Sequence, residues 1–278
     1  MILKPRCRLV LSGLFFFALV AQIAPAADAV DDLHEKALVW DCHNDLAYRI
    51  LYEGLDIGER LPAGHVDIPR LEEGGVDVQT VALFVQNFLY PDKCARQAFQ
   101  LLEATRKAID EHSDSVELAR TGSDVERIVA SGKIAMPLSI EGGHAIEDDL
   151  GLLRKFHEMG VSAMTLTHNV THGWADSGAD EKKWNGLNEL GKDVVREMQY
   201  QDLRQHYSAK ANEIIRKAKQ DDIRRTPKGG LASKLNSHVA WRLIRALQKL
   251  DVAYGEGDFD AACAALTELI KIEAAVTK

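Results

Sequence analysis

From Ala37 to about Met198, apolar β-rich runs alternate with stretches of helical spacing. Four runs read as strands: Ala37–Asp41, Val76–Gln86, Ile134–Ile140 and Ser162–Thr167. None alternates cleanly with charged residues, which marks strands covered on both faces, as in a parallel sheet. Helical patterns fall between them. Gln97–Glu111 has apolar residues at helical spacing, and Ser123–Glu126 has the form of a capping box opening a helix to about Ala130. Asp148–Met159 starts with acids and stops at Gly160, as helix polarity favours, and Asn188–Met198 is a further helix. Strands spaced by helices are βα units. The expectation is an α/β protein, either a TIM-type (β/α)8 barrel or a doubly wound sheet.

The pattern changes after about Gln199, beyond which no β-rich run occurs. Gln201–Ile223 is highly charged and helical, and Thr226–Gly230 is a break. Ala232–Ala253 and Phe259–Val276 are amphipathic helices joined by Tyr254–Asp258. The turn from Ala253 to Ala262 resembles that of a tetratricopeptide-type pair. A single pair reads either as an ordinary hairpin or as a surface that docks another protein.

The first 26 residues stand apart. Lys4, Arg6 and Arg8 precede an apolar run from Leu9 to Ala21, and Ala24-Pro25-Ala26 is a small-residue cleavage pattern. This is the layout of a secretory signal peptide, so the chain is expected to be exported. The expected organisation is a signal peptide at 1–26, an α/β region at 27–200 and a helical tail at 201–278. Losing those three bases with the leader takes the formal net charge from −8 to −11. So acidic a chain argues against nucleic acid as its main partner. Cys42, Cys94 and Cys263 remain, an odd number with no framework spacing, so at least one thiol is free or pairs between chains.

Three expected strand ends carry chemistry. His43 and Asp45 are two residues apart in Asp41-Cys42-His43-Asn44-Asp45, and i and i+2 of a strand share a face. Imidazole plus carboxylate suits zinc or a similar transition metal, although one such pair also occurs as a plain hydrogen-bonding pair. Glu141 ends the Ile134–Ile140 run ahead of two glycines, and His168 ends the Ser162–Thr167 run. In a parallel barrel all these ends lie on one face, where active sites collect. Two metals bridged by a carboxylate can activate a hydroxide and polarise an amide carbonyl, with His168 available to the oxyanion. His144 and His172 are read as loop residues. Trp174–Ser177 is read as a pocket mouth or loop packing, and His34, His65, His112, His157 and His206 show no partner pattern.

The run Asp41–Leu46 resembles the opening metal motif of the membrane dipeptidases, also called renal dipeptidases. In the same order follow His65–Leu71 with Gly74-Gly75-Val76, Ser139–Gly143, Thr165–Asn169, Trp174–Ser177, and Gly186-Leu187 through Val194–Met198. The resemblance covers roughly residues 37 to 198. It implies a (β/α)8 barrel with two zinc ions, in which His43 and Asp45 bind one zinc, Glu141 bridges both, and His168 contacts substrate and intermediate. It also implies hydrolysis of small peptides, chiefly dipeptides.

The family continues with a Ser-His strand and a second histidine strand that complete the other zinc site, then a substrate-binding Arg and an Asp. This chain shows no such strands. Asn236-Ser237-His238-Val239 sits in a helical pattern, and His238 is read as a helix-surface residue. Where family members often carry a Cys that would pair with Cys94, this chain has Val170. The expectation is the first half of a barrel followed by helices, with one zinc half-site complete. The open edge would then be left by truncation or fusion, covered by the tail, or completed by a homodimer or partner chain. A catalytically inactive metal- or peptide-binding remnant, or a docking module using the tail, is the alternative to a working dipeptidase. A deacetylase of the same barrel class is a third.

Overall fold

The computed structural model describes residues 31, 33–89, 91–202, 231–256 and 258–276. The expected signal peptide, His206, the break at 226–230 and most of the charged stretch 201–223 lie outside them. The chain divides into two units, Met1–Lys183 and Trp184–Lys278.

The first unit is built on one all-parallel sheet of five strands: β1 (Trp40–Asn44), β2 (Val78–Phe84), β3 (Val116–Ala119), β4 (Ile134–Glu141) and β5 (Val161–Met164). β4 lies at its centre and pairs with β2 from Ala135 to Glu141. Its other edge is shared end to end, by β3 along Ile134–Pro137 and by β5 along Leu138–Ile140. β2 and β4 are buried on both faces along nearly their whole length, the polar Gln79 and Thr80 of β2 included, as parallel strands under helices require. β1 departs from that expectation: Trp40 is exposed because the strand is at the sheet's edge, and its indole donates to Thr80 Oγ1 at 2.9 Å. β3 lay inside no expected strand, because four residues are too few to display a period. Among the described residues the sheet stays open.

The connecting helices are α1 (Leu46–Glu53), α2 (Ile68–Glu73), α3 (Cys94–Glu111), α4 (Gly122–Ala130) and α5 (Leu150–Glu158). The capping box of α4 lies two residues earlier than the expected Ser123–Glu126. Thr121 Oγ1 accepts from the Asp124 amide at 3.0 Å, and the Asp124 carboxylate accepts from the Thr121 amide at 3.2 Å. Thr121 has the extended backbone of an N-cap, and Asp replaces the usual Glu three residues on. α5 is capped by Asp149, and Gly160 beyond its end takes a φ of +105° that only glycine adopts freely.

The segment before α2 is locked by a fully buried carboxylate. Asp67 accepts from the amides of Arg70 at 2.9 Å and Leu61 at 3.0 Å, and it pairs with the Arg70 guanidinium. Asp67→Ala would orphan two amides and strip a partly buried cation of its partner. A loss of about 3–5 kcal/mol in urea unfolding is expected, with Asp67→Asn losing less. A change under 1 kcal/mol would contradict this account.

The second unit holds α6 (189–202), α7 (Leu231–Gly255) and α8 (Phe259–Val276). α7 and α8 bury a seam that includes Leu243, Leu250, Ala265 and Leu269, and Asp258 starts α8 by accepting from the Ala261 amide at 3.0 Å. α6 joins them through reciprocal bonds. Tyr200 and Tyr254 stack with centroids 3.9 Å apart, Tyr200 donates to Asp251 at 2.6 Å, and Tyr254 donates to the buried Glu197 at 3.0 Å. His238 stands in α7, as its helical pattern requires. No helix among the described residues is long and apolar enough to cross a membrane.

Candidate functional site

His43, Asp45, Glu141 and His168 come together at the C-terminal ends of β1, β4 and β5. β1 delivers His43, and its main-chain amide is held by Asp41 Oδ1 at 3.1 Å. Asp45 is no longer in the strand. It is the N-cap residue of α1, but its side chain makes no capping bond and remains available to His43. The pair meets because the chain turns into a helix between them, rather than through strand periodicity. Glu141 is the last residue of β4. His168 lies four residues past the end of β5, in a loop, and not at a strand end as expected.

That loop is nevertheless laced to the Glu141 segment. Thr165 donates its amide to Ile140 at 3.0 Å, the Gly142 amide donates to Thr165 Oγ1 at 2.7 Å, and the Gly143 amide donates to Leu166 at 3.2 Å. Ser177 donates to the His168 carbonyl at 2.5 Å, and Phe84 packs against the His168 ring at 5.2 Å and 78°. Trp174 is therefore not at a pocket mouth. It is wholly buried behind Gly143.

The geometry centres on Glu141. One carboxylate oxygen lies 3.7 Å from His43 Nε2, and the other lies 3.2 Å from His168 Nε2. Asp45 Oδ1 is also 3.7 Å from His43 Nε2. Donor atoms of His43, Asp45 and Glu141 all lie within 4.8 Å of one another. A tetrahedral zinc with ligands at about 2.0–2.2 Å sets its donors roughly 3.4 Å apart, so this set fits such an ion with small side-chain adjustments. Glu141 is 15% exposed, whereas His43 and Asp45 are half exposed, so the anchor is sheltered and the open side faces solvent. Among the described residues no other His, Cys, Asp or Glu group converges in this way.

His144 and His172 do more than close loops. Both are largely buried behind the site, His144 Nε2 against the Val85 carbonyl and His172 Nε2 against the Leu166 carbonyl, each at 2.9 Å. Burial holds both imidazoles below their ordinary value of 6.5, with the carbonyl bonds opposing it. The folded chain thus binds fewer protons than the unfolded chain just below that value, and stability present above it is lost as pH falls. Thermal midpoints of the metal-free chain should drop between pH 7 and 5, and His144→Gln should flatten that slope. An unchanged slope would remove His144 from this role. His34 and His112 also have partners that local sequence did not reveal, the Gly74 carbonyl at 2.9 Å and Asp56 at 2.7 Å, because those partners are 40 and 56 residues away. Cys94 and Val170 line a common cavity.

A profile of membrane dipeptidases, peptidase family M19, matches residues 27–203. The chain is 33% identical to the dipeptidase ataJ of Aspergillus terreus over 165 residues, covering 54% of this chain and 40% of that protein. To the dipeptidase tcpJ of Claviceps purpurea it is 31% identical over 173 residues, 57% of this chain and 41% of the relative. The chain thus spans about two fifths of the length of these relatives. Among solved structures, the probable dipeptidase PvdM from Pseudomonas aeruginosa superposes with a TM-score of 0.56 at 21% identity, covering 61% of this chain and 46% of that one. At that identity the likeness is one of fold.

Proposed function

Because this chain belongs to the membrane dipeptidase family, peptidase family M19, we propose that it is an exported zinc-dependent hydrolase of small peptides, chiefly dipeptides. The convergence of His43, Asp45 and Glu141 carries the reading. In it, these three residues hold one zinc, and the sheet corresponds to the first half of a (β/α)8 barrel. Zinc, when bound, supplies Lewis acidity that polarises a peptide carbonyl and lowers the pKa of water. The chain's own groups do the rest. Glu141 fixes the site from its sheltered position. His168 donates a hydrogen bond to the oxygen of the reacting carbonyl as charge builds there. Asp45 and His43 leave the solvent side open for substrate to enter.

The test is zinc content per chain after dialysis, followed by hydrolysis of a dipeptide panel with and without added zinc. One zinc per chain with metal-dependent turnover supports the proposal. Less than one metal with no turnover overturns it and leaves a binding remnant. Turnover of acetylated amides in place of dipeptides would make the chain a deacetylase instead.

A further inference from the structure

Beside the proposed metal site a cavity of about 500 Å³ opens, within the usual range for a small-molecule pocket. Its lining runs from Asp45 across Asn44, Tyr48, Arg49, His65 and Gln86. Among the described residues Asp45 is the one carboxylate that lines the cavity, and the metal reading engages it. The other polar groups lining it among the described residues include hydrogen-bond donors and a permanent cation, Arg49, which shares its charge with Glu53 outside the lining and keeps further N–H donors for an anionic group.

Arg49 is held in place for that task. It lies on α1 four residues after the N-cap Asp45, and both residues line the cavity. Its Nε donates to Glu53 at 3.1 Å and its Nη1 to the Ala63 carbonyl at 3.0 Å. A β-carbon on Gly64, whose φ is +95°, would sit 2.0 Å from Arg49 Nη1. The guanidinium therefore lies across a glycine that leaves it room. These bonds use Nε and Nη1, two of the five N–H donors of the guanidinium.

We propose that Arg49 docks a carboxylate of the substrate in this cavity, giving the site a preference for anionic small peptides. The proposal rests on the dipeptidase reading for the substrate's identity, but Arg49's part is tested by binding alone. The carboxylate can be the peptide's C-terminus or an acidic side chain, and three probes separate these: Ala-Ala, Ala-Ala amide and Ala-Glu amide. Calorimetric binding to the full chain, with and without zinc, should favour the carboxylate-bearing probes. Preference for Ala-Ala assigns the C-terminus, and preference for Ala-Glu amide assigns the side chain. Arg49→Gln should weaken the preferred probe roughly 10- to 100-fold, as loss of a charge-assisted bond predicts, and leave Ala-Ala amide unchanged. Arg49→Lys should recover part of the loss without the fork, and Gly64→Ala should mimic Arg49→Gln while Arg49 remains. Thermal melts keep these results apart from unfolding. Equal binding of all three probes, or an unaltered preference in Arg49→Gln, would overturn the proposal. A chain that shows the preference but holds no zinc would overturn the metallohydrolase reading and leave Arg49's role standing.

Discussion

Replacing Glu141 with alanine is expected to lower zinc affinity by more than about 100-fold and to remove any metal-dependent hydrolysis. Even second-sphere partners of a metal ligand are worth about 10- to 100-fold, and a ligand itself is worth more. Glu141 is also the group that faces both His43 and His168, at 3.7 and 3.2 Å. Without it, His43 and Asp45 form a two-ligand site half open to water, too weak to hold zinc against dialysis. Glu141→Gln keeps the shape and loses the charge, so it should bind metal poorly while folding as the parent does. Equilibrium dialysis against zinc, with circular dichroism to check the fold, reads both variants. Full zinc retention by Glu141→Ala would mean the ion sits elsewhere.

The second large effect belongs to a residue with no side chain. In Gly143→Ala the new β-carbon would lie 2.3 Å from the Trp174 ring and 2.6 Å from the Leu166 carbonyl oxygen. Neither neighbour can yield cheaply. Trp174 is fully buried, and the Leu166 oxygen accepts from the Gly143 amide and from His172. Overpacking of this kind costs about 1–3 kcal/mol, and more where main chain must move. The displaced strand end would separate Glu141 from His168, so a lower unfolding midpoint and weaker zinc binding should appear together. Gly122→Ala is the control, because nothing lies within 4 Å of its β-carbon. Equal stability of the two variants would show that the Gly143 contact is soft.

The ordered motifs make the candidate metal ligands the most legible part of the chain. His43, Asp45 and Glu141 could be named before any coordinates, because chemistry of that kind needs those residue types near strand ends. How they meet was less legible. Asp45 reaches the site from a helix cap and His168 from a loop, and neither fact follows from a two-residue period. The burial of Trp174 and His144 escaped the sequence for a similar reason, since Gly143 and Val85, which they pack against, lie in other segments. Locally Arg49 shows only an i,i+4 pairing with Glu53. Its relevance depends on Gly64 and Ala63, on the far side of a loop.

Periodicity and composition marked four of the five strands and the helices from α3 onward, because an apolar run covered on both faces excludes charge and a helix repeats its apolar face every three or four residues, whereas β3 and the short helices α1 and α2 fell outside those patterns. They also fixed where β character ends and a wholly helical stretch begins. The tertiary structure alone decided that β4 would be flanked by β2 and, end to end, by β3 and β5, and that one carboxylate would face two imidazoles. Strand order and side-chain convergence are set by long-range packing, in which each partner is chosen from the whole chain, and a local pattern holds no record of that choice.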